Sequence, residues 1–104
     1  MSTTTIAGHE IEVNEEGFLT DPDQWTPEMA EALAAQIGIN LTDEHHRVID
    51  FLRKDFAETG ETPTLRRVTK VGGFPTKELF KLFPKKPAKK MAYIAGLPKP
   101  HGCV

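Results

Sequence analysis

Residues 42–60 read TDEHHRVIDFLRKDFAETG. Val48, Ile49, Leu52 and Phe56 recur at intervals of three and four, which sets them on one face of an α-helix, and Leu41 and Phe51 flank that stripe. Thr42 stands ahead of Asp43 and Glu44, and negative charge is favoured in the first turn of a helix. Glu58-Thr59-Gly60-Glu61-Thr62-Pro63 breaks the pattern. A helix with one apolar face is stable only when something covers that face, so the flanking chain must supply the cover.

Upstream, Asp23-Gln24-Trp25-Thr26-Pro27-Glu28 starts another helix, with Thr26 as N-cap and Pro27 as first helical residue. Met29, Ala30, Leu33 and Ile37 come next at helical spacing, and Gly38 stops the run. Trp25, just before the cap, is placed to fold back as a staple on Ala30. Further upstream, TTTIAGHEIEVNEEGFLTDP (residues 3–22) alternates around Ile6, Ile11 and Val13. It predicts a β-hairpin with strands near 3–7 and 10–13 and a turn at Gly8-His9. Two strands alone are marginal, so the hairpin has to pack on the helices.

Downstream, Thr64 caps a short third helix, LRRVTKV, and Gly72-Gly73-Phe74 turns the chain. Pro75-Thr76-Lys77-Glu78 opens a fourth helix carrying Leu79, Phe80, Leu82 and Phe83, which Pro84 ends. A fifth runs from about Pro87 to Ile94, with Gly96 as its stop. Pro98 and Pro100 exclude a helix beyond it. The expected fold is mostly α (α+β): an N-terminal β-hairpin packed on a small helical bundle that contains a helix-turn-helix-like unit. Residues 1–95 are expected to form that domain and residues 96–104 a mobile C-terminal arm.

The 104 residues suit one domain, and 38% hydrophobic residues allow only a modest core. The single cysteine rules out a disulfide within the chain and fits a reducing, cytoplasmic setting. No signal peptide and no membrane-spanning stretch are visible. The net charge of −2 conceals an asymmetry: residues 1–60 carry 13 acidic and 3 basic side chains, residues 61–104 carry 2 acidic and 10 basic. The basic half is either an ordinary solvated face or a surface for an acidic partner or RNA.

The chain offers several constellations that could carry chemistry. The helix-turn-helix-like unit bears Arg66, Arg67, Lys77 and Lys81, but its second helix, KELFKLF, offers base edges only lysines. Lysines hold phosphates and specify little sequence. His45 and His46 are adjacent and so point apart on a helix, His9 and His101 are remote, and no metal site is expected. The carboxylates of the first half all stand in polar contexts that read as exposed, and no pair suggests acid–base work. No glycine-rich phosphate loop is present and no cofactor is expected.

Cys103 remains, in the ending GLPKPHGCV (residues 96–104). A free cysteine is usually buried and inert, but this one sits on a Pro/Gly tail. Pro98 and Pro100 favour extended geometry at about 3 Å per residue, so Gly96 to Cys103 spans about 20–25 Å. Leu97 opens this run, and Gly102 leaves the tip free beside the sulfur. Lys99 and His101 favour the thiolate, the species that attacks sulfur, and the nearby C-terminal carboxylate opposes it. Such a tethered thiol suits capture of a sulfane sulfur as Cys103–S–SH and its delivery elsewhere.

The stretch LFPKKPAKKMAYIAGLPKPHGCV (residues 82–104) closely resembles the ending of the DsrC/TusE family of sulfur-relay proteins, with its LFP-x-x-PAK segment, AGLPKP and penultimate Cys. IAGHEIEVNEEGFL, DPDQWTPEMAEALA and GINLTDEHHRVIDFLR resemble the family's hairpin and first two helices. The resemblance implies that Cys103 carries persulfide sulfur, a sulfurtransferase role in the broad sense. DsrC-type members have a second Cys eleven residues before the last, where this chain has Ala92. The single-Cys pattern resembles TusE, which implies sulfur-donor relay proteins upstream and a tRNA 2-thiouridylase-like acceptor downstream. The alternatives are a DsrC-like partner of a dissimilatory sulfur-metabolism complex (sulfite reductase or heterodisulfide-reductase-like) and a helix-turn-helix DNA-binding regulator. Arg66, Arg67, Lys77, Lys81, Lys85, Lys86, Lys89 and Lys90 form the expected partner-docking surface.

Overall fold

The computed structural model describes residues 2–99. The elements are β1 (Ser2–Ile6), β2 (His9–Val13), a single 3-10 turn (Pro22–Gln24), α1 (Pro27–Gln36), α2 (Asp43–Thr59), α3 (Leu65–Lys70), α4 (Thr76–Leu82) and α5 (Pro87–Ile94). All the expected elements are present, in the expected order.

β1 and β2 pair antiparallel, with Ile6 opposite His9 and Thr4 opposite Ile11. The turn falls on Ala7-Gly8, one residue earlier than Gly8-His9. Both turn residues have positive φ, 52° and 82°, as a two-residue hairpin turn matched to strand twist requires. This register puts Ile6, Ile11 and Val13 on one buried face and leaves Glu10 and Glu12 in water.

α1 lies between two apolar clusters. Met29 and Leu33 join Ile6, Ile11, Val13 and Leu19 beneath the hairpin, while Ala30 and Ala34 face the helical bundle. The bundle core takes Val48, Ile49 and Leu52 from α2, Val68 from α3, Leu79 from α4, and Met91 and Ile94 from α5. α5 packs on α1, α2 and α4 and is the central element. Among the described residues no helix is long and apolar enough to cross a membrane.

Two polar side chains are buried on the α2 stripe, His45 and Asp55. His45 Nδ1 accepts from the Thr42 N–H at 3.0 Å, and Nε2 lies 2.8 Å from the Leu82 carbonyl, to which it donates. The imidazole thus caps α2 and ties it to the end of α4.

Candidate functional site

Cys103 lies outside the described residues, with Pro100, His101 and Gly102. The structure does describe the base from which they extend. α5 ends in a Schellman motif: the Gly96 N–H donates to the Tyr93 carbonyl at 3.2 Å and the Leu97 N–H to the Ala92 carbonyl at 3.0 Å. Gly96 takes the left-handed conformation, φ +71°, that this cap needs. Leu97, only 1% exposed, turns back into the bundle core and supplies the apolar contact typical of the motif.

Trp25 and Arg53 hold this cap from outside. A Cβ on Gly96 would fall within 2.3 Å of the indole, so only glycine lets the ring lie against the backbone there. The Trp25 Nε1–H donates to the Ile94 carbonyl at 2.9 Å. The Arg53 guanidinium sits 4.3 Å from the centre of the Trp25 ring, donates from Nη1 to the Ala95 carbonyl at 2.7 Å, and from Nη2 to the Pro22 carbonyl at 2.9 Å. Two carbonyls that the helix end leaves without intrahelical partners are therefore satisfied by side chains from far upstream. Burial presses the Arg53 guanidinium below its ordinary pKa, opposed by the Asp23 carboxylate, and it stays charged.

Beyond the cap, the Thr62 hydroxyl donates to the Pro98 carbonyl at 2.7 Å, and Lys99 Nζ donates to Glu16 at 3.3 Å. That hydrogen bond, more than any other contact, holds the Glu16 carboxyl below the usual carboxylate range. The expected boundary of the arm at Gly96 is thus corrected. Gly96 and Leu97 belong to the body, and Pro98 and Lys99 are tied to it. The prolines forbid a helix but not docking, and Leu97 gains more from the core than from water.

The expected basic surface divides. Arg66, Lys77, Lys81 and Lys85 are exposed on α3, on α4 and after α4. Arg67 instead makes a fork to buried Asp55, Nε to Oδ2 at 2.7 Å and Nη2 to Oδ1 at 2.8 Å. Lys86, Lys89 and Lys90 line a cavity of about 300 Å3 beside α5. Ala92, at the position of the second cysteine in DsrC-type sequences, is fully buried.

Two sequence expectations need correction here. Asp55 is 4% exposed, not in a polar context, and the signal was legible: it lies three residues after Leu52 and seven after Val48, on the apolar stripe. Trp25 anchors the base of the C-terminal segment through Ile94 and Gly96 rather than acting only as a helix staple on Ala30. Arg53, four residues after buried Ile49, carried a similar sign of a covered charge.

Known proteins share this architecture. The family model described as DsrC like protein matches residues 5–104. The gamma subunit of dissimilatory-type sulfite reductase from Nitratidesulfovibrio vulgaris is 41% identical, covering 100% of both chains. Sulfurtransferase TusE from Escherichia coli is 38% identical over 93% of this chain and 95% of its own. The solution structure of Allochromatium vinosum DsrC superposes with a TM-score of 0.82 at 39% identity, covering 98% of this chain and 97% of the other. With hairpin, bundle and the ending that bears Cys103 all within the match, the chain belongs to the DsrC-like family of sulfur-relay proteins.

Proposed function

We propose that this chain is a sulfur carrier that holds sulfane sulfur on Cys103 and passes it to an acceptor protein. The carrying observation is the sole cysteine of the chain, set beyond a body-anchored base in a segment that the family model matches to its last residue. In the loading step the Cys103 thiolate attacks the outer sulfur of a donor persulfide. The Cys103 S–S bond forms as the donor S–S bond breaks, the donor leaves as its thiolate, and no net oxidation occurs. Delivery repeats the exchange with Cys103 as the leaving thiolate. Proline favours extended backbone, and that preference at Pro98 and Pro100 would lower the ordering cost of entering a partner's cleft.

The finer reading is delivery to a tRNA 2-thiouridylase-like acceptor through a relay of donor proteins. With Ala92 in place of a second thiol, Cys103 has no sulfur partner within the chain and must exchange between molecules. The relative named a sulfite reductase subunit favours a second reading, in which the chain serves a dissimilatory sulfur-metabolism complex in the same carrier role. The DNA-binding reading loses Arg67 of α3, which is occupied by Asp55.

The test is intact-protein mass spectrometry after incubation with a cysteine desulfurase and cysteine. Wild type is expected to gain the mass of one sulfur atom, and Cys103→Ser none. A gain by the serine variant, or none by wild type with any persulfide donor, would overturn the proposal. Offering loaded protein to a 2-thiouridylase or to a sulfite reductase then separates the two readings.

A further inference from the structure

The cavity beside α5 combines features that the carrier chemistry leaves unused. Its floor is apolar: Phe18 meets Tyr93 edge to face at 5.8 Å, and Ile37 completes the wall. The Tyr93 hydroxyl donates to Gln36 at 2.9 Å. Its rim is cationic, with Lys86, Lys89 and Lys90 from the start of α5. The lining holds one carboxylate, Glu16, and that group is shared: its Oε2 lies 3.5 Å from Lys89 Nζ and 3.3 Å from Lys99 Nζ. Glu16 thus pairs with Lys89 and Lys99, while Lys86 and Lys90 make no ion pair among the described residues, and the pocket mouth keeps unmatched positive charge.

We propose that this cavity is the docking pocket for a partner protein that presents an aliphatic or aromatic side chain flanked by Asp or Glu. The apolar side chain fills the Phe18–Ile37–Tyr93 floor, and the partner's carboxylates meet the lysines. About 300 Å3 accommodates a side chain rather than a folded element. Aromatic-lined, desolvated pockets are where interface energy concentrates, and charge complementarity at the rim steers approach. A phosphate backbone fits less well, because the floor offers it no polar contact and Glu16 stands at the edge.

The position gives the pocket a use, and here the inference rests on the carrier reading. Lys99 reaches Glu16, so the base of the Cys103 segment lies against the same rim. The four residues from Pro100 to Cys103 can reach at most about 14 Å beyond Lys99, the limit set by covalent geometry. Transfer to or from a partner seated in the pocket therefore requires that partner's sulfur to come within about that reach of Lys99.

The binding test uses the full-length Cys103→Ser chain, so that sulfur chemistry plays no part. The 15N-labelled protein is titrated with N-acetyl-Glu-Leu-Glu-amide, with the Gln-Leu-Gln and Lys-Leu-Lys analogues, and with a single-stranded RNA oligonucleotide. The acidic peptide alone is expected to shift the amides of Phe18, Ile37, Lys89 and Tyr93. The triple change Lys86→Glu, Lys89→Glu, Lys90→Glu is expected to weaken that binding by about tenfold or more. Lys90→Glu alone, with a smaller loss, serves should the triple variant misfold. No shifts at the pocket, equal shifts from the glutamine peptide, or preferential shifts from RNA would overturn the proposal. Loading with glutathione persulfide, a donor too small to need docking, tests the carrier reading separately. With Cys103 retained, the triple variant should load as wild type does from that donor and poorly from a protein donor. Failure of wild type to load from glutathione persulfide would count against the carrier reading and leave the peptide result standing.

Discussion

Asp55 is the residue at which charge and core meet. A carboxylate at 4% exposure persists as an ion only because Arg67 offers two matched donors, and the Arg67 hydrogen bond lowers the Asp55 pKa against the opposing effect of burial. A folded pKa below the unfolded value of about 3.9 stabilises the fold above that pH and ceases to do so as pH falls through the folded value. Asp55→Asn should therefore lower the urea midpoint at pH 7, and the gap to wild type should shrink below about pH 4. A gap that stays constant down to pH 3 would show that the charge contributes nothing. Trp25 offers a second test at this scale. Trp25→Phe keeps an aromatic ring against Gly96 but removes the 2.9 Å bond to the Ile94 carbonyl, a loss of about 1 kcal/mol by urea denaturation.

Among the elements, α5 is set apart by its C-terminal end. Its cap is legible in the chain: Gly96 after the last helical turn, an apolar Leu97 next, and proline one residue on. The cap's consequence is that the start of the C-terminal segment is part of the core. Leu97→Ala should cost about 2–5 kcal/mol, the range for truncating a buried leucine. Gly96→Ala adds a strained left-handed alanine, about 1 kcal/mol by itself, to a clash with the indole. Trp25 is the only tryptophan, so its fluorescence reports displacement of the ring directly. An unshifted emission maximum in Gly96→Ala would contradict the packing described. Of the N-caps read from the sequence, Thr64 accepts from the Arg67 N–H at 3.2 Å, whereas Thr26 stands at the N-cap of α1 with a buried hydroxyl that makes no hydrogen bond among the described residues; the break after α2 begins with Gly60 at φ +77°.

At the scale of the whole molecule, the described core is built without the thiol. The two clusters are filled by residues up to Leu97, and the sole thiol follows Lys99, the last tie among the described residues. Cys103→Ser should accordingly leave the urea midpoint unchanged while abolishing sulfur loading; a shifted midpoint would mean that the thiol is packed. The charge asymmetry resolves at this scale too, because Arg67–Asp55, Lys89–Glu16 and Lys99–Glu16 each join the basic half to the acidic half. The features readable from the chain alone are local: helix periodicity, caps and turns depend on residues within a few positions of one another, and a lone cysteine after Pro98 and Pro100 is visible without coordinates. The features that required the fold are long-range. Thr62 meets Pro98 across 36 residues, Trp25 meets Ile94 across 69, and Lys99 meets Glu16 across 83. No periodicity encodes such pairings. They exist because α5, packed against α1 and α2, brings its C-terminal end to the surface that Trp25 and Arg53 present, and because the hairpin connection carries Glu16 and Phe18 alongside its lysines.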